Sequence, residues 1–134
     1  MSIFLGGTGS ANELDDYEEG TWQPKISSGG SDYGTNSARY RKIGNFVYFQ
    51  CDILNNSGGG LTQIFNLPFS PQEYSSFHIA WISNTSQGVQ GASDLQGGLI
   101  GTDSTISFRT AGGNSTQTMQ NNVRLIGHGS YATN

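Results

Sequence analysis

The sequence predicts an all-β domain, an antiparallel β-sandwich or jelly roll with an extended N-terminal arm. Three observations carry that expectation. Apolar and polar residues alternate at period two along several short stretches. Breaks rich in Gly, Asn and Pro separate those stretches at intervals of roughly 8–20 residues. No segment repeats apolar residues at the three-to-four spacing of an amphipathic helix. A length of 134 residues suits one hydrophobic core, so the division is an arm over residues 1–20 and a single β-sandwich over residues 21–134.

The arm opens with Gly6-Gly7-Thr8-Gly9-Ser10. Glu13, Asp15, Asp16, Glu18 and Glu19 follow, five of the ten acids in the chain. Glycine runs resist helix and clustered like charges repel, so this block reads as extended. Leu14, Tyr17 and Trp22 are interspersed among the acids and are candidate anchors for an interface, since buried aromatics dominate interface energy. Further on, Ala38 to Ile43 alternates, Gly44-Asn45 marks a tight turn, and Phe46 to Leu54 forms a long strand. In that strand Val47, Phe49, Cys51 and Ile53 share one face, and Phe46, Tyr48, Gln50 and Asp52 the other. Asn55 to Gly60 is a loop. Leu61 to Leu67 reads as a strand closed by Pro68 and Pro71. Phe77 to Ile82 is another, with Phe77, Ile79 and Trp81 on one side. After a polar stretch through Gly97, short strands are expected at Leu99-Ile100, Thr105 to Thr110 and Val123 to Ile126.

Composition narrows the function. Charged residues are 12% of the chain and hydrophobic ones 34%. That thin apolar supply, with polarity carried by Ser, Thr, Asn and Gln, suits a protein that buries surface against copies of itself. Net charge is −4 and the pI about 4.8, and six scattered cations do not make a nucleic-acid footprint. Cys51 is the one cysteine, which leaves no internal disulfide. No apolar run approaches a membrane span, and the Met-Ser-Ile-Phe-Leu start lacks the basic region of a signal peptide. The expected place of synthesis is therefore the cytoplasm, with release in a particle.

Catalytic signatures are weak. His78 falls mid-strand with its ring opposite Phe77 and Ile79, and His128, between Gly127 and Gly129, reads as a loop residue. Asp94 and Asp103 read as loop carboxylates rather than the facing pair that glycoside hydrolysis requires. No Cys/His cluster or EF-hand pattern suggests a metal. Gly6 to Gly9 lacks the Lys-Ser/Thr of a phosphate loop. The sequons at Asn55, Asn84 and Asn114 read as chance in a chain this rich in Asn, Ser and Thr. No cofactor and no catalytic residue is expected. The compact cation cluster Arg39, Arg41 and Lys42 complements the acidic block Glu13 to Glu19 in charge. The expectation is that the arm docks on the basic strand, in its own subunit or a neighbour's.

Gly6-Gly7-Thr8-Gly9-Ser10-Ala11-Asn12-Glu13-Leu14-Asp15-Asp16-Tyr17-Glu18-Glu19-Gly20-Thr21-Trp22-Gln23-Pro24 resembles a segment of bacteriophage virion proteins. It recurs as GGTGxxNxLDDYEEGTWTP in tail-fibre and head-fibre-like proteins, often of phages of aquatic bacteria including cyanobacteria. Tyr40 to Asn45 followed by Val47 is similar to their Y-x-K-I-G-N-x-V hairpin, and Leu67-Pro68-Phe69 to their GLPF strand end. The resemblance covers about the first 70 residues of the chain. It implies a trimeric β-sandwich that closes a fibre behind a shaft. Here Met1 stands almost directly before the motif, so the expectation shifts to a free-standing virion protein. That protein would be a homotrimeric capsid cement or decoration protein bound to the major capsid protein or other virion proteins. Its alternative is a fibre tip that recognises a host-surface glycan, with Tyr74 and Phe77 as sugar contacts. On either reading the interface residues are Leu14, Asp15, Asp16, Tyr17, Glu18, Glu19 and Trp22 on the arm and Arg39, Arg41 and Lys42 on the strand.

Overall fold

The computed structural model of the protein describes residues 3–4, 13–14, 16–25, 35–55, 63–82, 95–110 and 123–134. Its described residues are all-β. The strands are β1 (Ile3–Phe4), β2 (Glu13–Leu14), β3 (Tyr17–Thr21), β4 (Thr35–Ile43), β5 (Phe46–Asn55), β6 (Gln63–Ile64), β7 (Ser75–Ile82), β8 (Leu95–Ile100), β9 (Ile106–Thr110) and β10 (Val123–Ala132). β1 and β2 pair as a small two-stranded sheet. The others form one antiparallel sheet in the order β3-β4-β5-β10-β7-β8-β9-β6. Tyr17–Thr21, which spans the expected boundary between arm and body, is thus the edge strand of the main sheet.

The β4–β5 hairpin forms where alternation and the turn signal place it. Gly44 has φ +58°, and Ile43 pairs Phe46 across the two-residue turn. Glycine in the first central position is what such a turn demands. Val47, Phe49, Cys51 and Ile53 are buried as one face. The hydrophobic core is one cluster, centred on Phe49. Its ring meets Trp22 edge-on at 5.6 Å, stacks with Phe77 at 6.1 Å, and tilts against Tyr131 at 5.8 Å. Aromatic pairs at such separations add about 0.5–1.5 kcal/mol beyond area burial.

The sheet curls until its ends meet. Beyond β3, Lys25 bridges to Phe65 just beyond β6, through Lys25 N–H to Phe65 O at 3.1 Å and Phe65 N–H to Lys25 O at 2.7 Å. Asn66, at φ 67°, donates its side-chain amide to the Gln23 carbonyl at 2.8 Å. This clasp joins the two edge strands at one point and encloses the core. Pairing an edge removes the open backbone groups that otherwise invite aggregation.

Four local expectations are corrected. Val123 starts a strand that runs to Ala132 rather than stopping at Ile126, so His128 is mid-strand and not in a loop. Gly127 and Gly129 sit where a Cβ would strike core rings: at Gly127 it would lie 2.2 Å from Phe77 Cζ, and at Gly129 2.9 Å from Phe49 Cζ. These glycines serve close packing and are not loop breakers. Trp81 points away from Phe77 and Ile79, because the β7–β10 register shifts between Ile126 and Gly127. Gly127 pairs Ile79 and Ile126 pairs Trp81, which leaves Ala80 as an extra residue that reverses the face. β8 begins at Leu95, inside the stretch read as irregular. Within the span read as a strand from Leu61 to Leu67, the described residues that pair with β9 are Gln63 and Ile64, so the strand ends before Leu67, and residues 61–62 lie outside the described residues.

Candidate functional site

Alternation sorts the residues of β3, β4, β5, β10 and β7 into an inward set and an outward set. Register aligns the outward set in rows across the five strands. The first row is Tyr17, Ile43, Phe46 and Ala132, and the second Glu19, Arg41, Tyr48 and Ser130. The third is Thr21, Arg39, Gln50, His128 and His78, and the fourth Ser37, Asp52, Ile126 and Trp81. Of the exposed large apolar side chains, Tyr17, Ile43, Phe46, Tyr48 and Trp81 all belong to this face. Ile43 and Phe46 are 50% and 51% exposed, so the hairpin end presents a bare apolar step. Single exposed hydrophobes are ordinary, but several on one face make that face the candidate functional surface.

The polar part of the face is ordered by its own contacts. Arg124 donates to both Asp52 carboxylate oxygens, at 2.8 and 2.5 Å, and its guanidinium lies 5.7 Å from the Trp81 ring centre. That bond holds the Arg124 guanidinium above its already high ordinary value. The Tyr17 hydroxyl donates to Glu19 at 2.7 Å, which raises the phenol's pKa and lowers the carboxyl's. Arg41 approaches Glu19 at 3.6 Å with both side chains mostly in solvent, a pair worth little in water. A shallow groove runs over Glu19, Thr21, Arg39, Arg41, Tyr48 and Gln50, and a second over Asp52, Ala80, Ile126 and His128.

The residues expected to form an arm–strand interface divide across the sheet. β3 pairs β4 within the same chain, with Glu18 opposite Lys42, Glu19 opposite Arg41 and Thr21 opposite Arg39. Arg39 and Arg41 are outward, but Lys42 is one residue out of phase and lies on the inward side, above Phe69. There its ammonium bonds Asp16 at 3.0 Å. Glu18 accepts from the Tyr40 hydroxyl at 2.7 Å, which raises that phenol's pKa. Gly20 leaves the space Tyr40 needs, since a Cβ there would stand 2.9 Å from the hydroxyl. Trp22 is buried in its own core, and its Nε1 has no hydrogen-bond partner among the described residues. Of the expected anchors, Tyr17 is exposed on the outward face. Leu14 is placed only by its pairing with Ile3, and Asp15 lies outside the described residues.

Phe77, read as a sugar contact, is 1% exposed and belongs to the core, whereas Tyr74 is exposed. His78 is exposed as expected. Sequence reasoning missed that His78 and His128 face each other, with ring centres 5.5 Å apart, and that Tyr48 lies 6.0 Å from His128. Only the length of β10 could have revealed it, and its glycines concealed that length. Asp103 closes a turn by accepting from Thr105 Oγ1 at 2.8 Å, and Asp94 lies outside the described residues. Among the described residues no three His, Cys, Asp or Glu side chains gather as a metal cluster, and no helix is long and apolar enough to cross a membrane. Compared with protein-family models, curated proteins and solved structures, the chain matches none.

Proposed function

We propose that this protein is a non-enzymatic structural component of a bacteriophage particle, a homotrimeric decoration protein that binds the assembled capsid. The observation that carries the reading is the outward sheet face, where Tyr17, Ile43, Phe46, Tyr48 and Trp81 lie exposed on a rigid all-β body. Apolar and aromatic side chains on an ordered surface supply binding energy with little ordering cost. The scarcity of charge in the chain favours such docking, because unpaired charges in an interface are costly. Stabilisation then works by mass action: a protein that binds the closed shell and not its separate parts shifts the equilibrium toward the shell. The resemblance of residues 6–24 to phage virion proteins supports the particle context. The site of action on this reading is the virion, and neither nucleic acid nor membrane is a partner.

A second reading, a fibre tip that binds host-surface glycan, draws on the groove over Arg39, Arg41, Tyr48 and Gln50. It combines an aromatic ring with planar hydrogen-bonding groups. A cryo-EM reconstruction of the virion separates the two. Density at three-fold or quasi-three-fold positions of the shell supports the decoration role. Density confined to tail or fibres overturns it in favour of adhesion.

A further inference from the structure

We infer that His78 and His128 form a chelating site for a divalent transition-metal ion of the zinc type. The two residues stand directly opposite one another on adjacent antiparallel strands. Zinc binds an imidazole nitrogen at about 2.0–2.1 Å, which places each ring centre about 3.2 Å from the ion. A tetrahedral angle at the ion then separates two ring centres by about 5.2 Å. The observed separation is 5.5 Å. The rings are now nearly parallel, at 23°, and both are accessible to solvent, so turning their nitrogens toward a shared ion requires side-chain rotation alone.

The backbone beneath the pair is fixed. Gly127 and Gly129 bring β10 down onto Phe77 and Phe49, so the outward direction of His128 is set by the core. On β7, Ser76 Oγ lies 3.2 Å from His78 Nε2 and is displaced or turned when that nitrogen takes the metal. The groups that face the pair from neighbouring strands are Tyr48 and Gln50 on β5. Asp52, the nearest carboxylate in register, is engaged by Arg124. Cys51 is buried on the opposite side of β5 and cannot contribute. Two imidazoles therefore supply the protein ligands, and water completes the coordination. A bound ion would tie β7 to β10 beside the bulge.

The test is a titration of the tag-free full chain with Zn²⁺ in a non-coordinating buffer, read by calorimetry and by thermal melting. The expected result is one ion per chain and a raised melting temperature, as for any ligand that binds only the folded state. H78Q should weaken binding by about tenfold or more, since it removes one of two protein ligands. H78Q/H128Q should abolish it, and C51S should leave it unchanged. Absence of binding by the folded wild-type chain overturns the proposal, as does undiminished binding by H78Q. His78 is exposed, so H78Q decides the matter even if substitutions at His128 disturb the fold.

Discussion

A methyl group added at Gly127 would stand 2.2 Å from Phe77 Cζ and 2.8 Å from both Phe77 Cε1 and the His78 carbonyl oxygen. Neither obstacle yields easily. Phe77 is 1% exposed and stacked on Phe49, and the carbonyl belongs to the backbone of the paired strand. Overpacking of this kind costs about 1–3 kcal/mol, and a collision with backbone places Gly127→Ala at the upper end. Alanine recovers about 0.5–1 kcal/mol through its lower conformational freedom in the unfolded chain, leaving a net loss of about 2–2.5 kcal/mol. Unfolding entropy of about 2.1 cal/mol/K per residue over 134 residues gives about 0.28 kcal/mol/K. The melting temperature should therefore fall by about 7–9 °C. Gly129→Ala is the internal comparison. Its nearest atoms, at 2.9 Å, are the ends of the Ile100 and Phe49 side chains, so its cost should be about 1 kcal/mol. Urea unfolding followed by tryptophan fluorescence, to which buried Trp22 contributes, measures both. A Gly127→Ala variant within about 0.5 kcal/mol of wild type, or one more stable than Gly129→Ala, would refute the packing argument.

Alkaline pH should destabilise the fold in two overlapping stages. Burial pushes the Cys51 thiol from 9.0 up to about 12 and the Tyr131 hydroxyl from 10.0 up to about 12. The unfolded chain releases these protons first, so their contribution is intact below pH 9 and shrinks as pH rises toward 12. Cys51→Ala should flatten the earlier part of that decline, measured as urea midpoints against pH, and an unchanged profile argues against it. Replacing both Arg39 and Arg41 by Glu sets like charges against Glu19 and should lower amide-exchange protection in β3. Global stability should move by less than about 1 kcal/mol, since these pairs are solvent-exposed. Undisturbed protection removes charge from the account of how β3 docks. If the proposed homotrimer forms through the outward face, Ile43→Glu with Phe46→Glu should leave stability within about 0.5 kcal/mol while reducing self-association in sedimentation velocity. Assembly that survives both changes excludes the hairpin end from the interface.

The β4–β5 hairpin was legible from Ala38 onward because its determinants are local, period-two patterning and a glycine where the turn needs positive φ, whereas the start of β4 at Thr35 was not. The apolar character of the outward face was also visible, since Phe46 and Tyr48 alternate with the core residues of β5. Other features depend on contacts distant in sequence. The glycines flanking His128 look like breakers until Phe77 and Phe49 are seen to occupy their side-chain space. The bulge at Ala80 leaves no trace in the composition of β7, yet it decides which way Trp81 points. Arg39, Arg41 and Lys42 form one cluster in the sequence and two sites in space, because a strand alternates its side chains. The clasp at Lys25 and Phe65 joins residues from opposite ends of the sheet order, which no local pattern encodes.

The position of β10 has a consequence for how the protein comes into being. Val123–Ala132 lies between β5 and β7, so the ladder from β3 to β5 and the ladder from β7 to β6 are joined through it. Until that strand has left the ribosome, both flanks expose open edges and half of a core. Folding is therefore expected to wait for Val123–Ala132 and to be slow, as for other topologies built on distant pairings. A chain cut short before Val123 keeps its hairpin signals but loses the strand that unites them. Such a fragment is marked for aggregation or proteolysis, so the fold itself selects for chains that carry β10.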